Sequence, residues 1–471
     1  MLLTQVGETT SNKWLQHVIL LTGPLLSVMD VFIINVAIPS IKHGLAATDG
    51  EIQLVIASYL LGYASFQITG GRAGDYFGRK KVFFWGMFFF TFSSMLCGVA
   101  LSPEQLIAAR FLQGLSGAFM MPQPLSYLQL LFPEQKERTK AFGLVGITLG
   151  IASVGGQFLG GYLSEVQAVV DGWRLIFFIN VPIGMVALWA IQAFLQETVK
   201  TRQGQFDYAG VVLVTLALSS MIYALIQGRE EGWPAWSFWL LLLSAGMLFY
   251  FIIHQKQKLT QGKTPLVNLN LFQIKDFNIG LLMVSFYFMM HASYLLIGTV
   301  HLQLDLGFSP YQCGLFFVLA GVMFMLASVL SIKLVLHLGK WALQVGVVLL
   351  ITSFALQAIL FKPGIQLLHI YLVMGLYGLG GGLVMPSQMN MALKSIPPHF
   401  SGAATGIYNT LQQAAAAVGI SLVGGLFYYV AQQNPSSKML AFQYAMWAEI
   451  ACLVLVGLMI ILLPYKVKKV V

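Results

Sequence analysis

Two stretches of this chain, Gly114-Leu-Ser-Gly-Ala-Phe-Met-Met-Pro122 and Gly378-Leu-Gly-Gly-Gly-Leu-Val-Met-Pro386, are similar enough to indicate an internal repeat. Further identical residues follow in the same order, at an offset of 264 and then, after one deletion, of 263: Pro133/Pro397, Ala141/Ala404, Gly143/Gly406, Gly156/Gly419 and Gly161/Gly424. Composition bias alone would not keep so many matches in order. Parallel repeats of this kind are typical of transporters whose two halves rock about a central site.

The composition of the chain is that of a membrane protein. Hydrophobic types make up 58% of the 471 residues and charged types only 9%, and the mean hydropathy is +0.78. Soluble domains carry about 25% charged residues, so the soluble class is excluded. Nucleic-acid binding is not expected despite the net charge of +9, because the basic residues are scattered between apolar stretches and do not cluster on one surface.

Fourteen apolar stretches are long enough to cross a bilayer, which takes about 20 residues of helix. They lie near 17–39, 52–71, 82–101, 105–131, 140–163, 175–195, 208–227, 236–254, 277–301, 311–332, 341–361, 365–391, 401–430 and 442–464. The repeat pairs the fourth stretch with the twelfth, as two six-helix halves separated by an inserted pair would do. We therefore predict an all-α polytopic membrane protein with fourteen transmembrane helices. Its parts are an N-terminal six-helix half (1–200), inserted helices 7 and 8 (201–256), a cytoplasmic interfacial linker (257–276) and a C-terminal six-helix half (277–471).

The distribution of basic residues predicts the orientation. Of the 26 Lys and Arg residues, 20 fall on one side of the predicted spans, 5 fall on the other, and Arg110 lies within a span. Cytoplasmic loops carry the excess of Lys and Arg, so both termini are expected in the cytoplasm. The positive charge then faces anionic lipid and requires no acidic partner.

The sequence contains no motif for enzyme chemistry or metal binding. Cys97, Cys313 and Cys452 lie far apart, without Cys-x-x-Cys or Cys/His spacing, so neither a disulfide framework nor a metal site is predicted. H-E-x-x-H, G-x-S-x-G and the G-x-x-x-x-G-K-S/T phosphate-binding loop are all missing. We predict no enzyme activity, no cofactor and no direct use of ATP.

Five longer motifs follow one another along the chain. They are Met29-Asp30-Val-Phe-Ile-Ile-Asn35-Val-Ala37-Ile-Pro39, Gly71-Arg-Ala-Gly-Asp75-Tyr-Phe-Gly78-Arg79-Lys80-Lys81, Arg110-Phe-Leu-Gln113-Gly114, Trp173-Arg174-Leu-Ile-Phe-Phe-Ile-Asn180-Val-Pro182-Ile-Gly184 and Ala404-Thr-Gly406-Ile-Tyr-Asn409-Thr-Leu-Gln412-Gln413. The second is similar to the signature G-x-x-x-D-x-x-G-R-K/R of the major facilitator superfamily. Together they resemble its fourteen-helix drug:proton antiporter branch, the quaternary-ammonium and multidrug efflux type.

This resemblance implies a proton-coupled antiporter in the cytoplasmic (inner) membrane of a bacterium, exporting small molecules by alternating access. It implies an amphipathic or cationic substrate, contact with membrane lipids, the proton gradient as energy source and a monomeric state. Two other functions stay open: a dedicated exporter or importer of one metabolite, lipid or metal-chelating compound, and a non-transporting membrane sensor. Such a sensor would usually carry a soluble output domain, for which the sequence leaves no long gap between spans.

The fifth predicted helix departs from the family pattern at one position. The antiporter motif normally reads G-P-x-x-G-G, and here it is Gly156-Gln157-Phe-Leu-Gly160-Gly161. Gln157 replaces the proline that would kink the helix, while the glycines still permit close helix approach.

Four ionisable residues within the spans are candidates for proton coupling. Asp30 and Arg110 lie at similar depth in the first and fourth spans, and a charge in lipid is costly and rarely kept without a role. Asp30 could load and release a proton beside the guanidinium, or the two could form a static ion pair that holds two helices together. Glu449 and His291 lie well inside later spans and are candidates for a second protonation site, with simple hydrogen bonding as the alternative.

Two further groups of residues complete the prediction. The family likeness implies that a cluster at the cytoplasmic end of helices 2 and 3 latches one conformation: Gly71, Asp75, Gly78, Arg79 and Lys80. Polar residues within spans are candidates for lining the substrate cavity, with interhelical hydrogen bonds as the alternative: Asn35, Gln113, Gln123, Asn180, Gln388, Asn390, Asn409, Gln412 and Gln413.

Overall fold

The computed structural model describes residues 13–166, 170–197, 207–263, 265–396, 401–434 and 438–463, and these segments are helical apart from short connections. In the first part of the chain the helices are α1 (Lys13–Gly44), α2 (Asp49–Phe77), α3 (Arg79–Val99), α4 (Pro103–Met120), α5 (Pro122–Leu131), α6 (Gln135–Glu165), α7 (Gly172–Phe178) and α8 (Asn180–Phe194). They are followed by α9 (Tyr208–Glu230) and α10 (Ala235–Thr260).

The second part of the chain begins with a short 3-10 turn, Leu269–Gln273, between α10 and the next long helix. That helix, α11 (Lys275–Val300), continues through a π-helical turn, His301–Asp305. The remaining helices are α12 (Pro310–Leu338), α13 (Trp341–Leu360), α14 (Leu367–Leu393), α15 (Ser401–Gly419), α16 (Gly425–Gln433) and α17 (Lys438–Leu462). A second π-helical turn, Ile420–Gly424, joins α15 to α16.

Twelve helices in the described part of the chain are long and apolar enough to cross a membrane, which confirms a polytopic all-helical membrane protein. Two of the fourteen predicted spans are not among them. The span near 52–71 corresponds to α2, whose last turns are rich in polar residues and glycine, and the span near 105–131 is divided at Met121 into α4 and α5. Pro122 opens α5 because its fixed φ and missing N–H suit a first helical position. The count of fourteen stays a prediction.

The division of the chain into four parts stays a prediction. The predicted linker begins at residue 257, but α10 continues to Thr260 because its end is built from good helix formers. The linker proper contains the turn Leu269–Gln273, and α11 begins at Lys275, close to the predicted start of the C-terminal half.

Glycines shared by the repeat lie at corresponding helix crossings. A Cβ on Gly114 of α4 would collide with the carbonyl of Tyr59 on α2, and a Cβ on Gly378 of α14 would collide with the carbonyl of Ala320 on α12. α4 packs along α2 and α14 packs along α12. The repeated glycine is therefore required in both places by the same close approach of two backbones.

The helix starts of these two crossings are also alike. Thr48 accepts a hydrogen bond from the N–H of Glu51, whose carboxylate accepts one from the N–H of Thr48, and this capping box begins α2. Ser309 and Gln312 form the same reciprocal pair at the start of α12. Each box satisfies two N–H groups that a helix end leaves open.

The first and second parts of the chain meet along α2 against α15 and along α6 against α12. Hydrogen bonds between them lie near the end at which α1 finishes. Gln303 donates to the carbonyl of Val36 at 2.8 Å, and the N–H of Tyr311 donates to Glu165 at 2.8 Å. At the opposite end Gly143 and Ile147, near the start of α6, are exposed.

Candidate functional site

Asp30 lies in the middle of α1 and is completely buried, and three side chains from other helices donate to its carboxylate. Arg110 of α4 reaches Oδ2 at 2.5 Å. Gln113 of α4 and Asn180 of α8 reach Oδ1 at 2.8 and 3.1 Å. The predicted contact between Asp30 and Arg110 is therefore present, and both carboxylate oxygens are hydrogen-bonded, as a buried charge requires.

Arg110 is held from several directions. The same Nη1 that binds Asp30 donates to Gln113 Oε1 at 2.6 Å. Its guanidinium lies 4.3 Å from the ring centre of Tyr59 and 5.9 Å from that of Phe177, a cation–π arrangement with two aromatic faces. Nε has no hydrogen-bond partner in the described structure. The pair is nearly neutral as a whole, yet neither charge could stay in place without the other.

Asn180 and Ser94 extend this network to α3. Asn180 Nδ2 also donates to Ser94 Oγ at 3.0 Å, and Ser94 donates to the carbonyl of Phe177 at 3.0 Å. α7 and α8 meet at Ile179, whose backbone is itself helical, and Asn180 opens α8 directly after it. The cluster formed by Asp30, Arg110, Gln113, Asn180 and Ser94, called the Asp30 cluster below, thus joins α1, α3, α4 and α8.

Glu449 and His291 lie in a different place. Glu449 of α17 is fully buried, and its Oε1 accepts a hydrogen bond from Ser293 of α11 at 2.7 Å. His291 of α11 is half-buried, and its Nδ1 lies 2.8 Å from the hydroxyl of Tyr377 on α14. The structure therefore divides the four predicted ionisable residues between two sites.

The predicted cavity residues fall into three groups. Gln113 and Asn180 belong to the Asp30 cluster. Asn35 donates to the carbonyl of Val31 one turn earlier at 2.8 Å, and Gln123 donates to the carbonyl of Gly70 on α2 at 2.8 Å, so both are buried in helix contacts.

The remaining cavity candidates lie on α14 and α15. Asn409, Gln412 and Gln413 are half-exposed side by side on α15. Gln388 is buried, and neither its oxygen nor its nitrogen has a partner in the described structure. The side chain of Asn390 lies outside the described residues. The face of α15 is thus where the structure leaves predicted polar side chains accessible.

At the predicted latch, α2 and α3 meet in a tight turn. Gly78 has φ of +99°, a conformation that favours glycine. Arg79 donates to the carbonyl of Ser126 at 2.8 Å, and Lys80 donates to the carbonyl of Gln192 at 3.2 Å. Gly71 packs near Pro122 of α5, where a Cβ would make an ordinary contact at 3.7 Å. The side chain of Asp75 lies outside the described residues.

Glu197 is a member of this region that the sequence motifs do not include. Its carboxylate accepts hydrogen bonds from the N–H groups of Lys80 at 3.0 Å and Lys81 at 3.2 Å. An anion at the start of α3 is favourable because N–H groups there are unpaired and the helix dipole is positive. The sequence did contain a signal for this contact. Glu197 is an acid just after the sixth predicted span, on the side of the membrane where basic residues are in excess.

The glycine motif of the predicted fifth helix, which is α6, packs against two helices at once. Cβ atoms on Gly156 and Gly160 would collide with backbone carbonyls of α1, and one on Gly161 would collide with the carbonyl of Pro310 on α12. Gln157 is buried beside α12, and its Oε1 has no partner in the described structure. The glycines therefore permit the close approach that the sequence indicates, while Gln157 brings a polar group into that contact.

A further buried acid, Asp207, anchors α9 and α10 and was not predicted. Lys258 donates to it at 2.8 Å, Gln255 at 2.9 Å and the N–H of Gly210 at 3.0 Å, and the Nε2 of His254 lies 3.1 Å away. Burial by itself would raise the pKa of this carboxyl, but the hydrogen bonds outweigh burial and hold the pKa well below its ordinary value.

We expect Asp207→Asn to lower stability by about 2 kcal/mol near neutral pH, since hydrogen bonds to a charged group are lost. A carboxyl whose pKa is lower in the folded protein stabilises it above the ordinary pKa of about 4, and this contribution fades as pH falls into the acid range. The difference in thermal unfolding midpoint between wild type and variant should therefore shrink on acidification.

The matched control for this measurement is Asp171→Asn. Asp171 is exposed and pairs with Arg174 at 3.3 Å, so little change is expected at any pH. A difference for Asp207→Asn that stays constant from neutral to acidic pH would show that the charge is not the cause.

The arrangement of helices is shared with solved membrane transporters. A nucleoside transporter superimposes with a TM-score of 0.68 at 10% identity, covering 96% of this chain and 100% of the other. A D-xylose-proton symporter superimposes with a TM-score of 0.64 at 15% identity, covering 97% and 98%. These likenesses establish the fold only.

Sequence comparison identifies the family. The profile of the Major Facilitator Superfamily matches residues 20–420. The chain belongs to the Major Facilitator Superfamily. The match confirms the family predicted from the motifs. Because this is a family of transporters, it also confirms the prediction that the chain is not an enzyme.

Curated relatives of this superfamily member are proteins of drug and antibiotic resistance. A "Probable actinorhodin transporter" of Streptomyces coelicolor is 33% identical over 89% of this chain and 73% of its own length. The "Multidrug resistance protein Stp" of Mycobacterium tuberculosis is 28% identical over 86% and 74%. The "Tetracenomycin C resistance and export protein" of Streptomyces glaucescens is 29% identical over 90% and 77%.

Proposed function

We propose that this protein is a proton-coupled antiporter that exports amphipathic small molecules, including cations, from a bacterial cell. The observation that carries the proposal is the Asp30 cluster: a completely buried carboxylate balanced by a single guanidinium at the junction of four helices. Relatives with export or resistance in their names support the direction of transport. The proton gradient would be the energy source.

Protonation of Asp30 would change the forces at this junction. A neutral carboxyl no longer compensates Arg110, and a guanidinium left buried without its counter-charge is strongly unfavourable. The cluster would then rearrange, loosening the link between α1, α4 and α8. A proton thus biases the choice between two packings of the same helices, which is the coupling that antiport requires.

The central cavity would lie between two six-helix halves, with α9 and α10 as the inserted pair of a fourteen-helix protein. Hydrogen bonds join the two parts at Val36 and Glu165, near the predicted outer surface. This arrangement supports a conformation open to the cytoplasm, with both termini on that side. The protein would act as a monomer in the inner membrane.

The half-buried polar side chains of α15 would provide the binding surface. Asn409, Gln412 and Gln413 offer hydrogen-bond donors and acceptors, and Met289 of α11 and Met385 of α14 are half-buried methionines. Methionine adapts its shape to varied apolar ligands. Such a wall suits compounds that combine an apolar body with a few polar groups.

A second candidate is a dedicated exporter of one antibiotic-like compound. Relatives are named after single compounds, among them actinorhodin, puromycin, methylenomycin A and tetracenomycin C. The two candidates share the coupling mechanism and differ in the range of substrates.

The test is proton release from purified protein in liposomes with an acidic lumen, on addition of lipophilic cations and of aromatic antibiotics. We expect release with wild type and none with Asp30→Asn, after the amount of folded protein has been matched. Glu104→Gln is the matched control, because Glu104 is an exposed acid at the start of α4. Release triggered by one compound only would favour the dedicated exporter. Release that persists in Asp30→Asn would contradict coupling at Asp30.

A further inference from the structure

Glu449 differs from Asp30 in what surrounds its carboxyl group. Both side chains are completely buried. Asp30 has a guanidinium and two amides as donors, whereas Glu449 has only the hydroxyl of Ser293. Oε2 of Glu449 has no hydrogen-bond partner, and no ion pair forms at Glu449 within the part of the chain that the structure describes. A negative charge there would be uncompensated.

Three titratable groups of the described residues that lie near Glu449 are ordinarily neutral. Tyr294 on α11, Tyr377 on α14 and Cys452 on α17 itself are close enough to interact electrostatically with it. Gln357 of α13, beside Tyr294, adds a neutral amide. Burying an ionised carboxylate without a cation costs several kcal/mol. These surroundings therefore accept Glu449 in its protonated form.

Aromatic side chains and one imidazole pack together beside Glu449. The rings of Tyr294 and Tyr377 lie 4.6 Å apart, and Tyr294 packs against Phe354 at 4.9 Å. His291 stacks on Tyr377 with an interplanar angle of 9° and shares a hydrogen bond of 2.8 Å with its hydroxyl. Because His291 is half-buried and Glu449 is completely buried, the imidazole is the less buried end of this cluster.

The position of this cluster corresponds to that of the Asp30 cluster. α11, α14 and α17 are the first, fourth and last helices of the second part, as α1, α4 and α8 are of the first. Tyr377 follows Gln113 at 264 residues, the same offset that relates Gly378 to Gly114. The two parts of the chain thus carry a buried acid at related crossings, one paired with a cation and one without.

We propose that Glu449 is a second proton-binding site, which exchanges its proton through Tyr377 and His291. The inference rests on the proposed antiport for its consequence in transport, namely that each cycle moves one proton more than Asp30 alone would carry. Proton occupancy of Glu449 does not depend on that function.

The first experiment measures occupancy by infrared difference spectroscopy of purified protein in lipid. We expect a carbonyl band of a protonated carboxyl at neutral pH that is lost in Glu449→Gln and kept in Asp30→Asn and in the surface control Glu104→Gln. Ser293→Ala keeps the carboxyl and should shift the band by removing its hydrogen bond, so the assignment does not rely on the Gln variant folding. A band unchanged in both Glu449→Gln and Ser293→Ala would overturn the proposal.

The second experiment counts protons released per substrate molecule in liposomes. Glu449→Gln should release one proton fewer than wild type, and His291→Phe should slow release without changing the count. If wild type responds to no compound, the proposed antiport fails while the infrared band still decides the state of Glu449. A normal count in Glu449→Gln would overturn its role in coupling.

Discussion

Replacing Arg110 by leucine is expected to destabilise the protein by about 3–5 kcal/mol, because it leaves the charge of Asp30 buried without a partner. Leucine also removes the packing of the guanidinium over Tyr59. Neutralising both partners, with Asp30→Asn and Arg110→Gln together, should recover most of the lost stability. Both the loss in Arg110→Leu and the recovery in the double variant can be measured by heating purified protein and using size-exclusion chromatography to determine the fraction that stays folded.

This double variant separates the two interpretations of the ion pair. If the pair only joins two helices, the neutral pair that keeps the helices together should still transport. If Asp30 carries the coupled proton, the double variant folds but releases none. Arg110→Lys is the matched control, since it keeps the charge and loses the stacked, planar contact. A double variant as unstable as Arg110→Leu would show that charge compensation is not what stabilises the site.

Gly114→Ala and Gly378→Ala are each expected to destabilise the protein by about 1–3 kcal/mol, the usual cost of forcing an extra carbon into a packed contact. The new Cβ would meet the carbonyl of Tyr59 in the first case and that of Ala320 in the second, and neither backbone can move without shifting a whole helix. We expect lower yields of folded protein and a lower unfolding midpoint for both.

Gly146→Ala provides the control for these substitutions. Gly146 lies on α6 with no atom within 4 Å of the position that a Cβ would take. The same chemical change should therefore be neutral or slightly stabilising, because alanine favours the helix. Equal loss at all three positions would show that the close contacts at Gly114 and Gly378 are not the cause.

The site was predicted from the sequence to different degrees. The pairing of Asp30 with Arg110 was predictable, since two opposite charges at similar depth in lipid have few other partners. The inclusion of Gln113 and Asn180 was not, because the sequence left a place in the cavity and an interhelical hydrogen bond as equal alternatives for both residues. Their interhelical bonds span 83 and 150 residues of chain. An amide in a span gives no signal of whether it faces a ligand or a neighbouring helix.

Glu197 and Asp207 show the opposite case, in which residues outside every motif have defined partners. Each follows or precedes a helix in a short polar segment, where acids are common and rarely informative. Glu197, which follows α8, meets the start of α3, and Asp207, which precedes α9, meets the end of α10. Only the packed structure brings those ends within hydrogen-bond distance.

The sequence by itself determined the membrane class, the positions of most spanning helices, the repeat and the superfamily. Hydropathy, loop charge and motif spacing are local properties, so one chain is enough to evaluate them. The tertiary structure decided the surroundings of the polar side chains: Asp30 lies beside a cation, Glu449 lies beside none in the described residues, and three amides of α15 are half-buried. A helix that is apolar on all sides carries no pattern that sets its rotation, and that rotation is settled only when the helices pack.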